Sequence, residues 1–131
     1  MKIKWTQDDA WVLQSLRLST EDNSGVTISR LLRVGDFINK DIINIEILRL
    51  TISKLIQSDL IYLERDKIFM TEKCLNLIST YCNSKQIHKY RDQLIKMLET
   101  IDSIIYEEID ISFLTQDYYE KAYNDYRDSF K

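Results

Sequence analysis

Residues 44–73, NIEILRLTISKLIQSDLIYLERDKIFMTEK, change hydrophobic period twice in a short run, and few folds accommodate such a change. From Asn44, a residue type suited to an N-cap, Ile45, Leu48, Ile52, Leu55 and Ile56 recur at helical spacing and share one apolar sector. Asp59 closes that pattern, and Asp tolerates the left-handed backbone on which helices often end. Residues 60–63 (LIYL) and 67–70 (KIFM) are β-prone, and Glu64-Arg65-Asp66 between them reads as a tight polar turn. Thr71 then has the character of a cap for a further helix bearing Leu75, Leu77, Ile78 and Tyr81. The stretch therefore imposes an order: helix, two-stranded ribbon, helix.

Upstream, Thr6 followed by Asp8 and Asp9 marks a helix start, because acids in the first turn complement the helix dipole. Trp11, Val12, Leu16 and Leu18 continue it over about residues 7–18, with Trp11 expected in the core. Residues 19–25 (STEDNSG) are loop by composition. Thr27, after one or two extended residues, is expected to cap a second helix carrying Ile28, Leu31, Leu32, Val34, Phe37 and Ile38. Gly35 within it costs about 1 kcal/mol relative to Ala, a cost that a close helix–helix approach would offset. Asn39-Lys40-Asp41 ends this helix and turns the chain.

Three helices followed by a two-stranded ribbon define a winged helix-turn-helix, so the expected fold is mainly α: a three-helix head with a two-stranded wing over residues 1–82, and a helical C-terminal arm over 83–131. In the arm, Ile87, Tyr90, Leu94, Met97, Ile101 and Ile104 keep a 3-4 spacing over nearly three heptads, widened by Leu98 and Ile105. Two readings stand: a helix folded back on its own head, or a dimer seam, with those six residues as the interface of a homodimer. Ser112 is positioned to cap a last helix bearing Phe113, Tyr119, Ala122, Tyr123, Tyr126 and Phe130, an aromatic face suited to a protein partner or to packing on the preceding helix.

Composition narrows the class. The 131-residue chain fits one core with an appended arm, and its 2 glycines and 0 prolines leave few forced breaks, favouring long helices. No apolar run approaches a membrane span, and the first residues lack an apolar signal core, so the expected location is cytoplasmic. Cys74 and Cys82 lie in a helical register that disfavours a mutual disulfide, and with His88 they lack the spacing and the fourth ligand of a zinc site. No metal or cofactor is expected. No phosphate-binding glycine loop and no nucleophile with a histidine base is legible, and adjacent acids such as Glu107-Glu108 point apart on a helix, so an enzyme is not expected either.

The run Leu55-Ile56-Gln57-Ser58-Asp59-Leu60-Ile61, followed by the ribbon and Met70-Thr71-Glu72-Lys73-Cys74, resembles the winged-helix heads of MarR-like and PadR-like bacterial regulators. Those families have glycines where this chain has Asp59 and Cys74. A nearer resemblance is to small uncharacterised bacterial proteins of winged-helix type, through Asp9, Trp11, Val12 and Leu13, then Asp36, Phe37, Ile38 and Asn39, then Leu60, Ile61 and Met70-Thr71. It covers about residues 5–78.

The resemblance implies a transcription regulator that binds double-stranded DNA, with the third helix in the major groove and the wing on phosphate or minor groove. The residues expected to contact DNA are Asn44, Arg49, Ser53, Lys54 and Gln57 on the helix and Arg65 and Lys67 on the wing. Charge argues the other way. The net charge is −3, and residues 27–73, with eight basic and seven acidic side chains, are close to neutral. Glu46, Ile47 and Leu50 share the outward sector of the third helix, which suits burial by another protein. The alternative is therefore a winged-helix protein–protein interaction module that does not bind DNA.

Overall fold

The computed structural model describes residues 4–20, 24–101 and 114–128. Among them the chain is mainly helical with one small antiparallel sheet: α1 (Gln7–Ser19), α2 (Ile28–Asn39), α3 (Ile45–Gln57), β1 (Ile61–Glu64), β2 (Lys67–Met70), α4 (Glu72–Tyr81), α5 (Ile87–Glu99) and α6 (Gln116–Asp128). No helix among the described residues is long and apolar enough to cross a membrane.

Side-chain caps set the four helix starts of the head. Thr6 and Asp9 form a reciprocal capping box at α1, the Thr6 Oγ1 accepting from Asp9 N–H and the Asp9 carboxylate from Thr6 N–H. Thr27, Asn44 and Thr71 accept from the N–H of Arg30, Ile47 and Cys74 at α2, α3 and α4. Each satisfies a first-turn donor that the helix itself cannot. The end of α3 is a Schellman turn: Asp59 is left-handed at φ 59°, Leu60 N–H donates to Leu55 C=O and Asp59 N–H to Ile56 C=O. Lys73 adds an ammonium on Ser58 C=O.

The ribbon pairs Ile61 with Met70 through Glu64 with Lys67. Its turn is the two residues Arg65-Asp66, both with positive φ (51° and 65°), the backbone that matches the twist of a tight hairpin. Glu64 belongs to β1, one residue later than the sequence pattern places the strand end, because it pairs with Lys67. Val26 adds one antiparallel pairing to Ile68, so the extended residue before α2 borders the ribbon. Tyr62 and Phe69, directly opposite, stack with ring centroids 5.1 Å apart.

The centre of the core is α1, which packs against α2, α3 and α5. Residues Asp9 to Leu16 are all buried, polar ones included. Ser15 and Ser19 turn their hydroxyls onto the carbonyls of Trp11 and Ser15, so small side chains let neighbours approach without leaving bare polar atoms. Trp11 fills the core and donates Nε1–H to Gly35 C=O at 3.0 Å. Gly35 is a site of close approach: a Cβ there would lie 2.6 Å from Ile43 Cδ1 and 3.5 Å from Ser15 Oγ. Leu18, placed by spacing on the apolar stripe of α1, is instead exposed.

The α5 stripe folds back on the chain. Leu94, Met97 and Leu98 are fully buried against α1 and α4, which corrects the seam expectation: Leu94 and Met97 have no surface left to offer a second copy. Ile87 is exposed, Tyr90 and Ile101 are half-buried, and Ile104 and Ile105 lie outside the described residues. Gln14 reinforces this packing, donating to Ile87 C=O and accepting from Arg91, whose guanidinium also reaches Asn39. The last helix packs on α2, with Ala122 and Tyr126 buried. At its start Thr115 Oγ1 accepts from Tyr118 N–H; Ser112, Phe113 and Phe130 lie outside the described residues.

Candidate functional site

The outward side of α3 is narrower than its helical wheel suggests. Lys54, expected at phosphate, is buried: its ammonium donates to Asp9 Oδ2 at 2.8 Å and to Lys4 C=O at 2.9 Å, with side-chain exposures of 9% and 2% for Lys54 and Asp9. Thr51 donates to the other Asp9 oxygen at 2.6 Å, so the carboxylate ties the first turn of α1 to the middle of α3. Ser53 is also buried, and Gln57 turns its amide back onto the Ser53 hydroxyl and carbonyl. The expectations at Lys54, Ser53 and Gln57 are corrected: Lys4 and Asp9 cover Lys54, Ser53 is buried and Gln57 is half-buried, where a helical wheel shows solvent.

What remains open is the N-terminal half and the ribbon. Asn44, Glu46, Arg49 and Leu50 are exposed and Ile47 is half-buried. Asn44 spends its Oδ1 on the helix cap, leaving its amide N–H groups as donors. Arg65 and Lys67 are exposed on the ribbon. The described part of the arm packs on α1, α2 and α4, and Leu50 stays 47% exposed.

A second cluster escaped the sequence reading. Arg30 and Arg33, one turn apart on α2, line a cleft of about 340 Å³ with Lys67 of β2, Tyr126 of α6 and the hydroxyls of Ser24, Thr27 and Ser29. The 3-residue spacing of the two arginines was visible in the sequence. That β2 would bring Lys67 beside them was not, because it depends on the Val26–Ile68 pairing.

The last helix stands close to this surface. The Tyr119 hydroxyl donates to Ile43 C=O, just before α3, at 2.6 Å. The Tyr126 hydroxyl donates to the Asp36 carboxylate, and that bond, with burial, pushes the phenol up to about 12. Burial also raises the Tyr118 phenol, helped by the nearby carboxylate of Asp66 at the ribbon turn. Elsewhere the chemistry is quiet. Cys74 and Cys82 are free and buried, with thiols pushed up to about 12 and about 11, chiefly by desolvation. Among the described residues no three His, Cys, Asp or Glu side chains are grouped to hold a metal ion.

Comparison with protein-family models, with curated proteins and with solved structures finds no match to this chain.

Proposed function

We propose that the protein is a winged helix-turn-helix DNA-binding protein acting as a transcription regulator, with α3 as the helix that enters the major groove and β1–β2 as the wing. The observation that carries this reading is the exposed N-terminal half of α3, together with exposed cations on the ribbon. Arg49 lies on α3, Arg65 and Lys67 on the ribbon, and Arg30 and Arg33 on α2 beside Lys67. Phosphate contacts position such a domain and a few groove-facing side chains supply selectivity. Here those side chains are Asn44, Glu46 and Arg49, with Leu50 able to meet a thymine methyl. Lys54 and Ser53 are not among them.

The test is fluorescence anisotropy with pooled genomic fragments at low salt. Wild-type protein is expected to bind, to lose affinity as salt rises, and to lose binding altogether in an Arg49→Glu, Arg65→Glu double variant that still folds. No binding to any fragment at low salt excludes the proposal.

A second reading is favoured by a specific observation. Phe37 on α2 is 80% exposed and Leu50 on α3 is 47% exposed, and apolar side chains so placed suit a protein surface. In that reading the domain is an interaction module, and Phe37→Ser with Leu50→Ser abolishes partner binding while the Arg49 and Arg65 changes do not.

A further inference from the structure

A further cleft lies away from the α3 face. It is a groove of about 800 Å³ between the C-terminal half of α1, α4, the α4–α5 connection and the first turn of α5. Its walls carry three of the large apolar side chains left exposed among the described residues: Leu18 at 54%, Leu75 at 38% and Ile87 at 39%. Leu18 and Ile87 belong by spacing to apolar stripes, yet neither reaches the core. Both end at the same opening.

The groove is also one-sided in charge. Arg17 and Lys85 line it, and no carboxylate does among the described residues. The Arg17 side chain is half-buried in the groove wall. Its guanidinium stands near the inner wall, since its charge draws the Tyr90 phenol and the Cys74 thiol partly back down from the rise that burial causes. A planar carboxylate is the acceptor that the paired N–H groups of a guanidinium fit. The neighbouring amide of Gln14 is already committed to Ile87 C=O and Arg91, and of the two cations Arg17 is the half-buried one while Lys85 is exposed.

We infer that this groove binds a small amphipathic carboxylate, an apolar chain or ring lying along Leu18, Leu75 and Ile87 with its anionic head on Arg17. The volume lies within the range of small-molecule pockets, and apolar side chains beside a small number of charged groups are the pattern of such sites. The inference does not depend on whether α3 binds DNA.

The probes are octanoate and its uncharged counterpart octanamide, titrated into the full chain by calorimetry and followed by amide chemical shifts. Octanoate is expected to bind saturably at one site, shifting residues 14–18, 75–79 and 85–90. Octanamide should bind about tenfold more weakly, the factor that corresponds to one charge-assisted hydrogen bond. Arg17→Gln, at a half-exposed position, should remove the difference between the probes, and Leu18→Glu should exclude octanoate by repulsion while leaving the fold intact. Equal affinity for the two probes, unchanged octanoate binding in Arg17→Gln, shifts elsewhere on the chain, or binding only where octanoate itself aggregates would each overturn the inference.

Discussion

Asp9 does three jobs with one carboxylate: it completes the α1 capping box, accepts from Thr51 and pairs with Lys54. An ion pair this buried is strongly destabilising to break from one side, because the remaining charge has no solvent and no partner. Lys54→Met alone is therefore expected to cost about 3–5 kcal/mol in urea denaturation. Adding Asp9→Asn to Lys54→Met should recover most of that loss, since both charges are then gone and the cap can persist. Tyr126 offers a second residue-level check. Its phenol is raised from 10.0 to about 12 in the folded chain, so protonated Tyr126 contributes stability below the unfolded value. That contribution should fade as pH rises from about 10 to about 12. Tyr126→Phe should lower stability by about 1–2 kcal/mol at pH 8, and the wild-type advantage in melting temperature should shrink through that alkaline window.

The element scale shows what local pattern encodes. Thr6, Thr27, Asn44 and Thr71 were legible as caps because a cap depends on side chain and backbone within four residues. Asp59 was legible as the left-handed stop for the same reason. Lys54 was not legible as a core residue: its partner lies 45 positions upstream, and a helical wheel gives direction without giving neighbours. The α5 stripe left two readings open for the same reason. Its period states that Leu94 and Met97 are covered and leaves open whether the cover is a second chain or, as found, α1 and α4. The ribbon turn yields a prediction at this scale. Arg65 and Asp66 both hold positive φ without being glycine, which costs roughly 1 kcal/mol or more at each position. Replacing them with Asn-Gly, the pair this turn favours, should raise stability by about 1 kcal/mol in thermal denaturation without altering the strand register. A loss of stability would mean that the Arg65 or Asp66 side chain contributes more than the strained backbone costs.

Across the described residues, α1 is the hub, and the segments before and after the head pack back onto it. Ahead of α1, Lys4 lends its carbonyl to Lys54, α5 closes over α1, and α6 lies along α2 with Tyr119 on the carbonyl that precedes α3. The described part of the arm thus completes the core, and the division at residue 82 marks a change of sequence pattern while packing runs across it. This arrangement also sets the electrostatic problem for a DNA-binding reading. The lysine of α3 is withdrawn into the interior, and the other cations lie apart on α2, α3 and the ribbon. Modest, salt-sensitive affinity is the expected consequence, because few phosphates can be neutralised at once.

The reading of α3 and the ribbon as a DNA-contacting surface is most directly tested by mapping amide chemical shifts when a bound genomic duplex is added at low salt. The expected result is perturbation concentrated in residues 44–50, at 65–67 and at Arg30 and Arg33, with residues 79–90 unchanged. The Asp9→Asn, Lys54→Met variant should bind the same duplex within about threefold of wild type, a difference below 1 kcal/mol, because Lys54 faces the interior. Perturbation confined to other surfaces, or loss of binding in that variant while it remains folded, would contradict the account.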